Sequence, residues 1–576
     1  MATRPWILAA GLLTACNATP EPIARLEPIA EAQASAAAAE PARVDLHARV
    51  LANPTAYIPP QCYADTRDAD GGVHNSCFAC HQDGWRPNFL FDAGVQEAYD
   101  LPDPALNNPW TNLRVDRRAA IAAIPEAELL AYVRRSNYRE GDRLLLVERL
   151  AELPPEWDRN GDGAWDGFVP DAWFELDAQG FDRAPDGRAT GWRAYAFRPL
   201  PGAFFPSNGG SMGDALIRLP AAFRRDASGA EDLDVYAINL AILEALITRA
   251  DVAIDPVAEA PLGVDLDGDG QLGEAEHVRY RWAPLKGETM RWVGAAGEAQ
   301  DRGEVQLAAG LFPVGTELLH SVRYLDVDDG SGAIVMAARM KELRYARKRS
   351  WLGYGQLDAA AADDAKERRD FPERVREVVA DAERGADNGI GWVYQGFIED
   401  PEGELRPQSV EETMFCVGCH SGVGATDDGV FSFARKLGSD TDARGWRHTS
   451  AGPIGDRIRA DGQGEYATYL RENRAGDDFR ANHELLARFF DDAGQPREDA
   501  IAELSRDASS LLLPSRARAI ALGAAYWLVV REQSFARGRD AVLAPVEAVH
   551  WDLSPAQATG IERIVAGPRD KRAQPG

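Results

Sequence analysis

Four of the six cysteines in this 576-residue chain fall into two Cys-x-x-Cys-His strings, Cys77-Phe78-Ala79-Cys80-His81 and Cys416-Val417-Gly418-Cys419-His420, more than 300 residues apart. No other feature constrains the fold as strongly. Two thiols three residues apart reach both vinyl groups of one haem, and the adjacent histidine presents its imidazole to the iron. An isolated Cys-x-x-Cys also serves as a redox disulfide or as half of a zinc site. Here the histidine follows immediately, and it does so twice. The expected cofactors are two c-type haems, attached through Cys77, Cys80, Cys416 and Cys419, with His81 and His420 as proximal ligands.

The amino terminus points to export, which is where c-type haem is attached. Arg4 precedes an apolar stretch from Trp6 to Leu13, and Leu13-Thr14-Ala15-Cys16 resembles the lipobox of bacterial lipoproteins. Residues 1–16 then read as a lipoprotein signal peptide with Cys16 as the lipidated residue; the alternative is an ordinary signal peptide with an incidental cysteine. Such acylation exceeds the two-signal threshold for stable anchoring. Asn17 stands where inner-membrane lipoproteins carry Asp, which favours the outer membrane, on its periplasmic or cell-surface face. Residues 17–44, rich in Ala, Pro and Glu, read as a tether. No window holds 18 uninterrupted apolar residues, and Ala519 to Val530, bounded by Arg518 and Arg531, reads as a buried helix. A net charge of −28 argues against nucleic acid as a partner. It suits either a basic redox partner protein or plain solubility.

Axial ligation is less readable. After His81 the next methionine is Met212 and the next histidine His277; after His420 there is no methionine. The downstream methionine of small monohaem cytochromes is therefore missing at the second site, which leaves two-histidine ligation or an open iron. Of the remaining histidines (His47, His74, His277, His320, His448, His483 and His550), His320 is the first distal candidate, because its Leu-Leu-His-Ser-Val-Arg-Tyr context reads as a strand entering a buried pocket. His74 is the second; it lies too close to its own motif but suits a neighbouring haem. Cys62 is left without a disulfide partner, as a buried thiol or, alternatively, an axial or redox-active one.

Carboxylate loops suggest calcium. Asp265, Asp267, Asp269, Gly270 and Glu276 match an EF-hand loop, although Pro256 and Pro261 discourage an incoming helix. Asp158, Asn160 and Asp162 form a shorter loop of the same kind, and Asp326-Val327-Asp328-Asp329 reads as a solvated acidic turn.

The length implies two or three domains. The expected organisation is a first haem region at 45–200, a middle region at 201–345 with the calcium-loop motif, and a helical second haem region at 346–576. The fold class is α+β, mainly helical around the haems with a more strand-rich middle. Helices are expected over Arg117 to Arg135, Val235 to Ile247, Lys366 to Arg384, Glu465 to Glu472, His483 to Phe490 and Ala517 to Arg531, and strands near Val278 to Trp282 and Leu318 to Leu325.

The strings Ile58-Pro59-Pro60-Gln61-Cys62-Tyr63, Tyr394-Gln395-Gly396-Phe397-Ile398-Glu399-Asp400 and Glu532-Gln533-Ser534-Phe535 resemble a group of large dihaem c-type cytochrome lipoproteins of Gram-negative bacteria. The resemblance implies a dihaem cytochrome over most of the mature chain and no particular substrate. Dihaem peroxidases also carry two motifs, but closer together. Three functions are compatible with these features. Two six-coordinate haems would transfer electrons in the periplasm or at the outer membrane. One open iron would make a peroxidase- or oxygenase-like oxidoreductase, with Trp392, Tyr394, Trp446 and His448 as aromatic and imidazole neighbours. A surface scaffold or sensor is the third.

Overall fold

The alternation from Leu318 to Leu325 lies in one strand of a nine-stranded antiparallel sheet. Its strands are β1 (Phe181–Arg183), β2 (Ala189–Ala194), β3 (Ala215–Arg218), β4 (Glu317–Val327), β5 (Ile334–Lys348), β6 (Ala380–Asp381), β7 (Gly385–Asp387), β8 (Trp392–Glu399) and β9 (Leu405–Pro407). Their spatial order is β6-β7-β8-β5-β4-β3-β2-β1, with β9 also paired to β8. The computed structural model describes residues 44–565, save for 47, 49, 68–71, 83–85, 87, 89–91, 196–197, 432–453, 459–461 and 474–481. The expected signal peptide, Cys16 and nearly all of the tether lie outside the described residues.

The hairpin β4/β5 turns at Asp328, whose Oδ1 accepts the Ser331 N–H at 2.8 Å. Register carries one row of residues across the sheet: Ala215 on β3 faces His320 on β4, His320 faces Arg344 on β5, and Arg344 faces Gly396 on β8. The pleat sends every second residue to the opposite side. Leu216, Leu319, Leu343 and Phe397 consequently join Trp192 and Phe168 in an apolar core on one face. The other face presents Leu318, His320, Val322, Glu342, Arg344, Ala346 and Tyr394 to a cavity.

Four of the described helices begin at side-chain caps. Helix α1 (Leu233–Thr248), capped by Asp232, is apolar all round and buries twelve of its residues, as the run Val235 to Ile247 predicts. Helix α2 (Val410–Cys419) carries the second motif, and α3 (Arg516–Glu532) is capped by Ser515. Proline decides two departures from expectation. Pro125 splits Arg117 to Arg135 into helices Arg118–Ala122 and Glu126–Arg134. The charged helix expected over Lys366 to Arg384 instead spans Tyr354–Asp370, because Phe371 precedes Pro372 and is biased out of helical geometry.

The fold class is α+β. The second motif, however, follows β6 to β9 directly, so its surroundings are not mainly helical. The stretches 45–200, 201–345 and 346–576 all contribute strands to the one sheet, within a single compact unit spanning residues 41–576. Among the described residues no helix is long and apolar enough to cross a membrane.

Candidate functional site

The first motif opens on a short 3-10 turn, Cys77–Ala79. Asn75 Oδ1 accepts the Cys77 N–H at 2.9 Å, and the His81 N–H bonds the Cys77 carbonyl at 2.7 Å. The turn brings Cys77 and Cys80 to the same side. His81 Nδ1 lies 2.7 Å from Asp92 Oδ2, which leaves Nε2 as the nitrogen available to a metal.

The second motif occupies the last turn of α2. Ser409 and Glu412 form a capping box at the start of that helix, and Arg406 holds the Glu412 carboxylate at 2.8 Å. His420 caps the far end. Its N–H bonds the Cys416 carbonyl at 3.0 Å, and its Nδ1 donates to the Gly429 carbonyl at 2.9 Å. The Tyr394 ring lies over the imidazole, 5.0 Å between centroids and tilted by 30°.

The chain then closes the two motifs on each other. The Ala425 N–H bonds the Cys80 carbonyl at 3.0 Å, Asn88 Nδ2 donates to the Val423 carbonyl at 2.7 Å, and the Gly424 N–H bonds Asp92 Oδ2 at 3.1 Å. Gly418 and Gly424 are required by this approach: a Cβ at Gly418 would strike the Tyr57 carbonyl, and one at Gly424 the Gln82 carbonyl and Asp92 Oδ1. Gly424→Ala is therefore expected to lower stability by about 1–3 kcal/mol, the usual cost of overpacking. Denaturant unfolding of the variant checks this; an unchanged midpoint would show that the motifs do not need their present spacing.

Between the motifs and the sheet lies one cavity of about 1410 Å³. It exceeds the roughly 300–1,000 Å³ of a single small-ligand pocket. Cys77, Cys80, His81, Cys416, Cys419, His420 and His320 all line it. Burial pushes Cys77 up to about 12 and Cys419 to about 11, and raises Cys416 as well. No disulfide joins the cysteines among the described residues. Burial, then neighbouring Arg344, pulls His320 down to about 4, and burial holds His420 at about 4 against its Gly429 hydrogen bond. Both rings are thus neutral at pH 7, the form that binds a metal. Paired thiols, imidazoles with Nδ1 engaged and a chamber larger than one ligand needs together fit the two haems expected from the motifs.

The polar wall combines Glu342 with two arginines. Burial alone would raise Glu342, but Arg344 at 2.8 Å and Arg539 at 3.0 Å hold it near 2. Lys341, which donates to the Gly210 carbonyl at 2.8 Å, adds a further cation to this part of the lining. Among the described residues the hydroxyls of Tyr394 and Tyr526 are buried without a hydrogen-bond partner, and both residues line the cavity.

The expected residues fall unevenly. His320 reaches the cavity; the side chain of His74 lies outside the described residues, as do His47, His448 and Trp446. His277 sits on the strand Glu274–Val278, His483 is exposed on a helix, and His550 packs edge-on to Tyr99. Trp392 is fully buried against Phe312 rather than in the lining. Cys62 lines the cavity, its thiol raised well above its usual range by burial and by Cys77, Cys419 and Cys80. Asp92, Arg344, Glu342 and Met212, another lining residue, carry no local signal: each joins the site through contacts remote in sequence.

The Asp265 loop is flanked by strands Val252–Ala258 and Glu274–Val278 in place of helices, as its prolines imply. Glu259, Asp265 and Asp267 place one carboxylate oxygen each within 4.8 Å of one another. Glu276 sits exposed on the second strand, and Glu259 instead reaches into the loop, accepting from Leu266, Asp267 and Gly273 N–H groups. Asp269 accepts the Gln271 N–H at 2.7 Å. In the other loop Asp158 accepts from Gly161 and Gly163, and Asn160 accepts the Asp162 N–H at 3.0 Å while donating to the Asp162 carboxylate. Asp326 and Asp329 are both engaged by Arg134.

A family model whose description reads "-like lipoprotein" matches residues 46–507. An uncharacterised lipoprotein of Aquifex aeolicus (strain VF5) is 29% identical over 538 residues, covering 85% of this chain and 86% of the relative. No solved structure matches.

Proposed function

The chain belongs to this lipoprotein family, and we propose that it is an exported dihaem c-type cytochrome, lipid-anchored through Cys16 at the outer membrane, that transfers electrons to or from a redox partner protein. One observation carries the reading: two Cys-x-x-Cys-His motifs, remote in sequence, line a single cavity with each imidazole tied through Nδ1. When bound, the haems would supply one-electron chemistry. Cys77, Cys80, Cys416 and Cys419 would attach them, and His81 and His420 would hold the irons. His320, neutral and cavity-facing, is the leading distal ligand, and the cations Lys341, Arg344 and Arg539 suit propionate carboxylates.

The test is the absorption spectrum of the purified, dithionite-reduced protein before and after carbon monoxide. Two six-coordinate sites predict no Soret change. A change in about half of the Soret intensity, as one open iron of two requires, would instead favour an oxidoreductase acting on a small oxidised substrate. The buried Tyr526 hydroxyl in the cavity lining is a polar group that such a ligand could engage, and supports this second reading. A protein without covalent haem after expression in a host that matures c-type cytochromes would end both.

Calcium at the Asp265 loop is proposed as structural, with Glu259, Asp265 and Asp267 as its carboxylates. Chelation is expected to lower the melting temperature of the wild type and to leave Glu259→Gln unaffected. Equal shifts in the two proteins would place any bound calcium elsewhere.

A further inference from the structure

The two motif imidazoles are held by chemically different acceptors. His420 donates to a neutral backbone carbonyl, that of Gly429, at 2.9 Å. His81 meets a carboxylate, Asp92 Oδ2, at 2.7 Å. The Asp92 side chain is only 6% exposed. Its Oδ2 also accepts the Gly424 N–H at 3.1 Å, from the loop that follows the second motif. Among the described residues its Oδ1 is buried without a hydrogen-bond partner, where a Cβ on residue 424 would otherwise sit. The carboxylate is therefore fixed in place from the second motif and directed at the ligand of the first.

We propose that Asp92 is a positioning residue that makes the site at Cys77, Cys80 and His81 the lower-potential member of the pair. The inference rests on the dihaem reading. A carboxylate that accepts from Nδ1–H fixes the tautomer and ring orientation and makes the imidazole a stronger donor. Negative charge on the ligand favours ferric over ferrous iron, so the reduction potential falls; a carbonyl partner does this less. The two sites are thus unequal before any distal ligand is considered, and the Gly424 contact couples the donor strength of the first site to the loop geometry of the second.

The experiment is a spectroelectrochemical titration of the full-length holoprotein, wild type against Asp92→Asn and Asp92→Glu, with haem content first checked by pyridine haemochrome. A Cys416→Ala/Cys419→Ala protein, retaining the first site alone, assigns the waves. The expected result is two one-electron waves in the wild type, with the lower one at the first site. Asp92→Asn raises that wave and leaves the upper one in place, and Asp92→Glu restores part of the shift. The proposal is overturned if Asp92→Asn moves neither wave, moves only the upper one, or moves both equally. Should Asp92→Asn lose its first haem, comparison with Cys77→Ala/Cys80→Ala decides: a first-site midpoint at or above the second overturns it, a lower one supports it. Wild-type protein lacking haem removes the dihaem reading and this inference together, and is recognised before any titration.

Discussion

A Cys416→Ala/Cys419→Ala double variant, matured in a host that attaches c-type haem, is expected to carry one haem, against the two proposed for the wild type. Pyridine haemochrome absorbance per protein then halves, as expected when one of two equivalent chromophores is removed. Intact mass falls by one haem. The thiols removed lie in the last turn of α2, whose start is fixed by Ser409, Glu412 and Arg406. The helix itself therefore persists, and the loss is read at the cofactor. The cavity floor on β4, β5 and β8 loses the group that would fill it, so stability falls as well. Cys62→Ala makes the contrast: this thiol lines the same cavity but belongs to no Cys-x-x-Cys-His string, and both haems should remain. Two haems in the double variant would rule out covalent attachment at the second motif. Loss of both would show that the two sites form only together.

Glu342→Gln is expected to lower stability at pH 7 by about 3–5 kcal/mol, the usual cost of breaking one partner out of a buried charge cluster. The side chain is 3% exposed and contacts Arg344 at 2.8 Å, Arg539 at 3.0 Å and Gln408 at 3.2 Å. Glutamine keeps the shape but leaves the buried Arg539 and the half-buried Arg344 guanidinium groups with no carboxylate at this point. The pH dependence has a definite sign. Despite its burial, the arginines depress the folded carboxyl from 4.5 to about 2. A depressed acid stabilises the fold above its unfolded value and stops doing so as pH falls through the folded one. The gap between wild type and variant should therefore close between about pH 4.5 and 2, a linkage of roughly 3 kcal/mol for such a shift. Urea unfolding of both proteins across that range is the measurement; a gap independent of pH would mean that the cost is steric.

Some parts of this protein could be read residue by residue. The haem strings are fixed by covalent reach within five residues. The helix from Val235 to Ile247 and the strand around His320 follow from hydrophobic runs and alternation, which act over a few neighbours. The missing helical flanks of the Asp265 loop followed from its prolines. The departures have local causes: Pro125 and Pro372 cut amphipathic patterns that continue past them, and the strands Ala380–Asp381, Gly385–Asp387 and Leu405–Pro407 are too short for an alternation to register.

The sequence by itself determined the chemistry available: four thiols and two imidazoles at haem spacing, an apolar buried helix, a strand carrying His320, and carboxylates in turns. Tertiary structure decided how these meet. It put both motifs against one face of one sheet, although more than 300 residues separate them. It paired His81 with Asp92 and His420 with Gly429, set Arg344 opposite His320, and brought Glu259 into the Asp265 loop where Glu276 was expected. The physical reason is range. Covalent geometry and periodicity act between neighbours along the chain, whereas a buried polar group must find its partner wherever packing brings one, and strand register fixes that location only once the sheet is assembled.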